Sequence, residues 1–385
     1  MGEPAPARGT RPRNRRQQIM GAAAELFARD GYAHVSMSDL ADAVAVRPSA
    51  LYRHFRGKEE LLHHVVLDAL SAIRQALDQA PDIAVALAHV VLDHRQAGAL
   101  WQREARHLPP ELRTDLRDEI RKIQHDIARV VTTQRPELPE FSAGLLAWAA
   151  MCSMMSVSFQ RIELPRAEYE QLLAAIVDDV LQAPLDHAAE PPLPQPAPVP
   201  PTRRDELATA AARLFAENGY RTVGIDDVGA AAGITGPSVY KHFDSKLDLL
   251  VTIVLSGAEK LSQAGAAVLD HARSDEEALT GLVRSYTEFS FAHNEVMDLL
   301  IAETAHLPDR ERKIVVDAQR SYLANWARLL GRTRPDLSAA HARVRVQAAV
   351  SLTNDIARTP ALRAHPETPA VVTAVGRAIL ERPTS

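Results

Sequence analysis

Two short stretches of the chain carry side chains suited to gripping a DNA duplex. Residues 35–55 read VSMSDLADAVAVRPSALYRHF, and residues 223–243 read VGIDDVGAAAGITGPSVYKHF. Both end in a run that mixes hydroxyl, aromatic and basic side chains. Such groups bond phosphate oxygens, and arginine also bonds the O6 and N7 edge of guanine in the major groove. These residue types predict a contact with nucleic acid.

The spacing in each stretch predicts two short helices joined by a turn. In a helix-turn-helix unit the second helix enters the major groove, and its N-terminal residues reach the base edges. Small residues, Ala41 and Gly229, stand where the two helices must cross closely. Gly233 suits a turn that needs a positive φ, and Ala45 holds the same position in the first stretch, where it would be strained by about 1 kcal/mol.

The chain repeats itself at the scale of a whole domain. Residues 15–62 align without a gap on 203–250, with 19 identities in 48 positions. A second match joins 103–111 to 302–310 at an offset of 199 instead of 188, which places an 11-residue insertion in the second copy. The 385 residues therefore predict two tandem copies of one domain, in line with the usual domain size.

Each copy is predicted to be all-helical, with a helix-turn-helix domain followed by a helical regulatory domain, because apolar residues recur at three- and four-residue spacing. A proline-rich spacer, with eight prolines in 18 residues, separates the copies. The predicted domains are 12–72, 73–183, the linker 184–201, 202–260 and 261–382.

The helices that this periodicity predicts are the following. In the first copy, one helix has an apolar face from Ile19 to Phe27 and ends at Gly31, a second runs from the Ser36 cap to about Ala43, a third runs from near Pro48 to Phe55, and longer ones follow at 58–79, 82–97, 99–107, 110–134, 139–160 and 166–183. In the second copy they lie at 204–218, 225–232, 236–242, 246–271, 275–292, 295–305, 308–331, 337–357 and 368–381.

These residues resemble the TetR family of bacterial transcriptional regulators. The resemblance rests on LFA..GY, the [LV]Y.HF run and the lysine that opens the fourth helix, and all three occur twice. It implies that the later helices of each copy bind a ligand and form dimers, and that Tyr52, His54 and Lys58 contact phosphates. We expect Phe55 and Phe243 to pack in the core. The full set of predicted DNA contacts is Ser36, Arg47, Pro48, Ser49, Ala50, Tyr52, Arg53, His54, Lys58, Thr235, Gly236, Ser238, Tyr240, Lys241, His242 and Lys246.

Charge favours the first unit as the stronger DNA binder. The whole chain carries 44 basic and 49 acidic residues, a net charge of −5, so a nucleic-acid partner must be met by a local patch. Residues 1–62 hold 10 basic and 7 acidic groups (+3), whereas 203–250 hold 6 and 7 (−1). The arm RGTRPRNRR (8–16) supplies five arginines that either follow the DNA backbone or form a solvated tail.

No motif for catalysis, a cofactor or a metal is found in the sequence, so we expect no enzyme activity, no cofactor and no metal site. The lone Cys152 excludes a disulfide within the chain and fits a reducing compartment. We expect a cytoplasmic protein with no membrane partner.

A ligand pocket is predicted in the regulatory domains, with ordinary core packing as the alternative. The candidate lining of adaptable apolar side chains and polar anchors is Trp101, Glu104, His107, Trp148, Met151, Met155, Phe159, Glu303 and His306. The Glu-x-x-His-Leu-Pro pattern, present in both copies, is explained equally well by a helix end before a proline-started helix. A weak resemblance to TetR-type regulators of fatty-acid or acyl-CoA metabolism suggests a lipophilic or amphipathic effector.

These observations predict a repressor that binds operator DNA and is released from it by a small effector. The alternative is a small-molecule-binding or protein-interaction module in which one helix-turn-helix unit, the second being the better candidate, has lost DNA binding. Because relatives pair their last two helices as homodimers, the tandem chain is expected to close on itself as a pseudo-dimer, with a homodimer as the rival.

Overall fold

A computed structural model describes residues 15–80, 82–185 and 200–382, and all regular elements in these ranges are helices. The basic arm before Arg15 and most of the proline-rich linker lie outside the described residues. The described residues form two compact units, divided between Leu181 and Gln182. The division agrees with a tandem repeat of one all-helical domain.

Nine α-helices lie among the described residues of the first unit: α1 Arg15–Asp30, α2 Met37–Ala43, α3 Pro48–Leu51, α4 Lys58–Gln79, α5 Ile83–Asp93, α6 Ala97–Ala99, α7 Pro110–Gln134, α8 Glu140–Met155 and α9 Arg166–Leu181.

Ten α-helices are described in the second unit: α10 Arg203–Asn218, α11 Ile225–Ala231, α12 Gly236–Val239, α13 Lys246–His271, α14 Asp275–Ala292, α15 Asn294–Ala302, α16 Asp309–Thr333, α17 Ala339–Arg358, α18 Pro360–Arg363 and α19 Thr368–Glu381.

The long helices lie where the periodicity predicts them, and α4, α7, α13, α14 and α19 match to the residue. The short segments differ. Each recognition helix, α3 and α12, is a single turn, and the predicted helix 99–107 is instead a π-helical turn, Leu100–Glu104, followed by a 3-10 turn. Short segments carry too few apolar repeats for periodicity to set their ends.

The predicted domain boundaries at 72/73 and 260/261 fall inside α4 and α13, which are continuous helices. The DNA-binding and regulatory parts of each copy therefore share one long helix and have no linker between them.

The 11-residue insertion extends one helical hairpin of the second copy. Helix α13 has 26 residues against 22 in α4, and α14 has 18 against 11 in α5, so the two extensions of four and seven residues account for it. The loops between the helices keep the same length, at 80–82 and 272–274.

In the second unit the hydrophobic core runs from the DNA-binding helices into the regulatory helices. Phe215, Val239 and Phe243 belong to the same buried cluster as Leu299 of α15 and Val315 of α16. Because side chains in such a core are closely packed, a displacement of α15 or α16 is transmitted to the DNA-binding helices.

One helical segment among the described residues, 140–159, is long and apolar enough to cross a membrane by length and composition. However, 67% of its apolar window is buried inside the protein. A helix whose apolar surface already packs against protein has little left to offer lipid, so we regard it as a core helix.

The turn between the two short helices requires a positive φ in both copies. Ala45 has a φ of 53° and Gly233 a φ of 70°. A Cβ atom on Gly233 would meet nothing within 4 Å, so only the backbone conformation opposes a side chain there. The first copy therefore carries a strained alanine where the second has an unstrained glycine.

We predict opposite effects when these two residues are exchanged. Gly233→Ala should lower the free energy of unfolding by about 1 kcal/mol, and Ala45→Gly should raise it by up to about 1 kcal/mol, because glycine relieves the strain but has more freedom in the unfolded chain. Urea denaturation of the full chain measures both changes. Destabilisation by Ala45→Gly would show that the alanine is not strained.

Candidate nucleic-acid interface

The first helix of each helix-turn-helix unit is stabilised by hydrogen bonds at its N-terminus. Ser36 caps α2, as predicted: its hydroxyl accepts a hydrogen bond from the Asp39 backbone N–H, while the Asp39 carboxylate accepts one from the Ser36 N–H at 2.7 Å. In the second copy Gly224 has no capping side chain, but its N–H donates to the Asp227 carboxylate at 2.7 Å. Both hydrogen bonds of the capping box are present in the first copy, and only the bond to the Asp227 carboxylate is present in the second.

Close packing sets the distance between the two short helices in the second copy. A Cβ atom on Gly229 would lie 2.9 Å from the Gly236 nitrogen, and one on Gly236 would overlap the Asp226 carboxylate. In the first copy Ala41, fully buried, takes the place of Gly229. The small residues are therefore needed because the backbones approach closely, as the sequence predicts. Gly236, predicted as a DNA contact, is itself buried.

The predicted base-contact and phosphate-contact side chains of the first copy lie on the surface. Arg47 holds the N-cap position of α3 without a side-chain capping bond, and it is exposed together with Pro48 and Ser49. Ala50 is half-buried. Beyond the helix, Tyr52 is 55% exposed, an unusual exposure for a large aromatic side chain, and Arg53 and His54 are also exposed. This surface offers a guanidinium, a phenol and an imidazole within eight residues.

The second copy presents an equivalent but less basic surface. Tyr240 is 56% exposed, close to the value of its counterpart, and Lys241 is also exposed. Thr235 and Ser238 share a hydrogen bond of 2.9 Å between their hydroxyl groups. His242 is half-buried.

The phenylalanines of both [LV]Y.HF runs are core residues, as expected, with exposures of 1% for Phe55 and 2% for Phe243. An arginine from the first helix of each copy covers the ring: the guanidinium carbon of Arg16 lies 5.0 Å from the Phe55 centroid, and that of Arg204 lies 4.1 Å from the Phe243 centroid. These contacts fasten the recognition helix to the first helix of its unit.

The lysines predicted to contact phosphates face the interior of their own unit. Lys58 Nζ donates to the carbonyls of Tyr32 at 2.8 Å and Val35 at 2.6 Å, and it lies 4.3 Å from the centroid of the Tyr32 ring. Lys246 Nζ donates to the Arg221 carbonyl at 3.3 Å and lies 4.5 Å from the Tyr220 ring. Burial lowers the pKa of Lys246. Both ammonium groups hold the turn that follows the first helix, and their contact with phosphate stays a prediction.

The Glu-x-x-His pairs predicted at a pocket mouth lie against that same turn. In the first copy Glu104 Oε2 accepts a hydrogen bond from the Tyr32 N–H at 3.2 Å, and the His107 ring stacks on Tyr32 with centroids 5.2 Å apart. Burial, with a smaller effect of the Glu59 charge, raises the pKa of Tyr32 to about 12. The pair therefore joins the regulatory part of the first copy to its DNA-binding part.

The second copy repeats this junction with an added arginine. Glu303 is 3% exposed and lies 2.8 Å from His306 Nδ1, while Arg221 Nε donates to His306 Nε2 at 3.2 Å. The His306 ring lies 5.8 Å from that of Tyr220. We call the lysine, tyrosine, glutamate and histidine of each copy its junction quartet: Lys58, Tyr32, Glu104 and His107, and Lys246, Tyr220, Glu303 and His306.

The other pocket candidates of the first copy lie at the C-terminal end of α8 and around the π-helical turn. Met151 is 9% exposed, and Trp148, Met155 and Trp101 are half-buried. The Arg103 guanidinium covers the Phe159 ring at 5.1 Å. Their role in ligand binding stays a prediction.

Two positions near the recognition helices differ in charge between the copies. Neither is among the predicted DNA contacts, although the alignment of the repeat contains both differences. Exposed Arg56 in the first copy corresponds to exposed Asp244 in the second. Asp226, which lies against the start of α12, corresponds to Ser38. A carboxylate repels phosphate, so both exchanges agree with the prediction that the first unit binds DNA more strongly.

Comparison with known proteins matches the model of bacterial regulatory proteins of the tetR family at residues 19–65 and 207–253. The two matches cover both helix-turn-helix units and the start of both long helices, α4 and α13.

Three relatives are transcriptional regulators. The HTH-type transcriptional repressor KstR2 of Mycolicibacterium smegmatis is 31% identical over 36% of this chain and 71% of its own length. That of Rhodococcus jostii is 33% identical over 29% and 54%. The HTH-type transcriptional activator FasR of Mycolicibacterium smegmatis is 29% identical over 23% and 40%. The chain thus spans between two fifths and seven tenths of these relatives.

The junction lysine and a surface arginine should respond differently to removal of their charge. We predict that Lys58→Met lowers the melting temperature by about 2–4 °C, because the hydrogen bonds to two backbone carbonyls are lost. It should leave the salt dependence of DNA binding unchanged. Arg53→Met, the matched control on the exposed surface, should leave the melting temperature unchanged and reduce the slope of log K against log salt by about 0.9. A reduced slope in Lys58→Met would instead assign Lys58 a phosphate contact.

Proposed function

We propose that this chain, which belongs to the TetR family of bacterial regulatory proteins, is a cytoplasmic repressor that holds its operator chiefly through the first helix-turn-helix unit. The observation that carries the proposal is the pair of exposed recognition surfaces, of which only the first combines Tyr52 with Arg47 and Arg56. Thr235 and Asp244 hold the corresponding positions in the second.

The favoured operator consists of two unlike half-sites. The residues that open the recognition helices differ, with Arg47-Pro48 in one copy and Thr235-Gly236 in the other. A guanidinium selects guanine, whereas a threonine hydroxyl bonds several bases. The second unit contributes less affinity, and in the limiting case of the alternative function it contributes none.

A small effector releases the operator by favouring a different position of the regulatory helices. It acts only to the extent that it binds the released state more tightly, and a tenfold preference corresponds to about 1.4 kcal/mol. The junction quartets support this route: Glu104 bonds the turn beside the DNA-binding helices, and Glu303 pairs with His306, which contacts that turn in the second copy.

One chain supplies both halves of the DNA-binding assembly. Relatives assemble from two subunits, and here two complete copies are tied together by the segment between α9 and α10. A tether raises the effective concentration of the second copy to about millimolar, which favours pairing within a chain over pairing between chains.

The two exposed tyrosines provide a matched test of the ranking. We predict that Tyr52→Ala weakens operator binding by about 1–3 kcal/mol and that Tyr240→Ala weakens it by less, because the first surface is the more basic of the two. Their equal exposure, 55% and 56%, means that both variants should keep the wild-type melting temperature. Fluorescence anisotropy with a labelled operator measures the difference, and equal losses would show that the two units are equivalent.

The assembly is tested by mass in solution. We predict a single species near the chain mass of 42.1 kDa in light scattering at micromolar concentration. A species of twice that mass, about 84 kDa, would show a homodimer with four DNA-binding units.

A further inference from the structure

We propose that the second copy, and not the first, holds the effector site, and that the site takes an uncharged, mainly apolar, planar ligand with a hydrogen-bonding group at one end. This inference rests on the proposed effector response and assigns its location and chemistry.

The observation is a small cavity, of about 40 Å³, between α13, α14, α15, α16 and α17, which a ligand of several rings would enter only as these helices move apart. Its wall includes Tyr286, Met297, Leu300, Tyr322, Val350 and Asn354, and none of its lining side chains is charged. A cavity without a charged partner disfavours a ligand with a net charge, since a buried ion must be paired. The rings of Tyr286 and Tyr322 lie in this wall with their centroids 6.0 Å apart, and a planar ligand would pack against them.

The polar side chains of the cavity wall lie on α13, α14, α16 and α17: Ser262, Tyr286, Gln319, Tyr322 and Asn354. The Tyr286 hydroxyl donates to Asn354 Oδ1 at 2.8 Å, and Asn354 makes no further hydrogen bond among the described residues. The Tyr322 hydroxyl is buried beside the Trp326 indole, and neither group makes a hydrogen bond of normal geometry among the described residues. Burying such groups unpaired is costly, so a ligand that bonds them would recover that cost.

Small residues on one face of α13 make room for this wall. Ala258, Ser262 and Gly265 follow one another at helical spacing and point toward α16. A Cβ atom on Gly265 would lie 2.5 Å from the Tyr322 ring. The Tyr322 ring therefore fits only because α13 has a glycine, with no side chain, opposite it.

The first copy fills the equivalent space with aliphatic side chains. Leu70 stands where the second copy has Ala258, and Leu87 and Ile123 stand where it has Tyr286 and Tyr322. These three are 8%, 3% and 0% exposed. Aliphatic residues leave no polar atom to orient a ligand.

In the first copy an ion pair occupies the two positions whose residues line the cavity in the second copy. Arg74 Nη1 lies 2.8 Å from Glu119 Oε2 and joins α4 to α7. The residues at these positions in the second copy are Ser262 and Ala318, which line the cavity. The first copy thus links α4 to α7 by a partly exposed ion pair where the second copy has two small residues.

The test uses N-phenyl-1-naphthylamine, an uncharged planar probe with one N–H group, and its anionic analogue 8-anilino-1-naphthalenesulfonate. Fluorescence titration of the full chain should show saturable binding of the neutral probe at one site per chain. The sulfonate should bind at least about tenfold more weakly, because no cation lines the cavity. Equal binding of the two probes, or no binding of the neutral one, would overturn the proposal.

Exchanging residues between the copies locates the site. Ser262→Arg combined with Ala318→Glu installs the ion pair of the first copy and should weaken probe binding at least about tenfold. The matched control, Arg74→Ser with Glu119→Ala, should leave it at the wild-type level. Asn354→Met, the residue of the first copy, serves as a second variant, with helical circular dichroism verifying that each protein folds. Loss of binding in the control alone would place the site in the first copy.

The same samples separate this inference from the proposed function. Operator binding is measured by anisotropy with and without the neutral probe. If the probe binds and the Ser262 and Ala318 exchanges weaken its binding, the inference is supported, even if the protein stays on the operator. A protein that stays on the operator with the probe bound would contradict only the proposed release by an effector. Release of the operator that is unaffected by all second-copy variants would overturn the inference and leave the proposed function standing.

Discussion

The position of each DNA-binding unit depends on how a single tyrosine is held. Tyr32 and Tyr220 follow the first helix of their copies, and a lysine ammonium lies over each ring, 4.3 and 4.5 Å from its centroid. A histidine from the regulatory part contacts the same ring. Because the ammonium also bonds backbone carbonyls of the turn, one cation stabilises both the local turn and its contact with the regulatory helices.

The two copies share this junction but differ in the surfaces around it. At the DNA side, the first copy carries Arg47 and Arg56 where the second carries Thr235 and Asp244. In the regulatory part the difference is one of volume, since an aliphatic core in one copy corresponds to tyrosines and small residues in the other. A duplicated domain can change one copy for binding DNA and the other for binding a ligand, provided that the junction is kept in both.

Much of the architecture follows from the amino-acid sequence. The repeat, the long helices, the Ser36 cap, the buried phenylalanines and the turn with positive φ are predicted from periodicity, residue type and aligned spacing, and the structure agrees. These features are local: a cap, a helix or a turn depends on residues within a few positions of one another, so the sequence contains what sets them.

The partners of the junction residues were decided only by tertiary structure. Lys58 looks like any exposed cation in the sequence, yet it bonds carbonyls 26 and 23 residues earlier in the chain. Glu104 and Glu303 belong to a repeated pattern that fits a pocket mouth equally well, but Glu104 bonds the Tyr32 N–H and Glu303 pairs with His306, which lies against Tyr220. Likewise, the space beside Tyr322 depends on Gly265, 57 residues away. Contacts over such separations depend on how whole helices pack, and no spacing within one helix reports them.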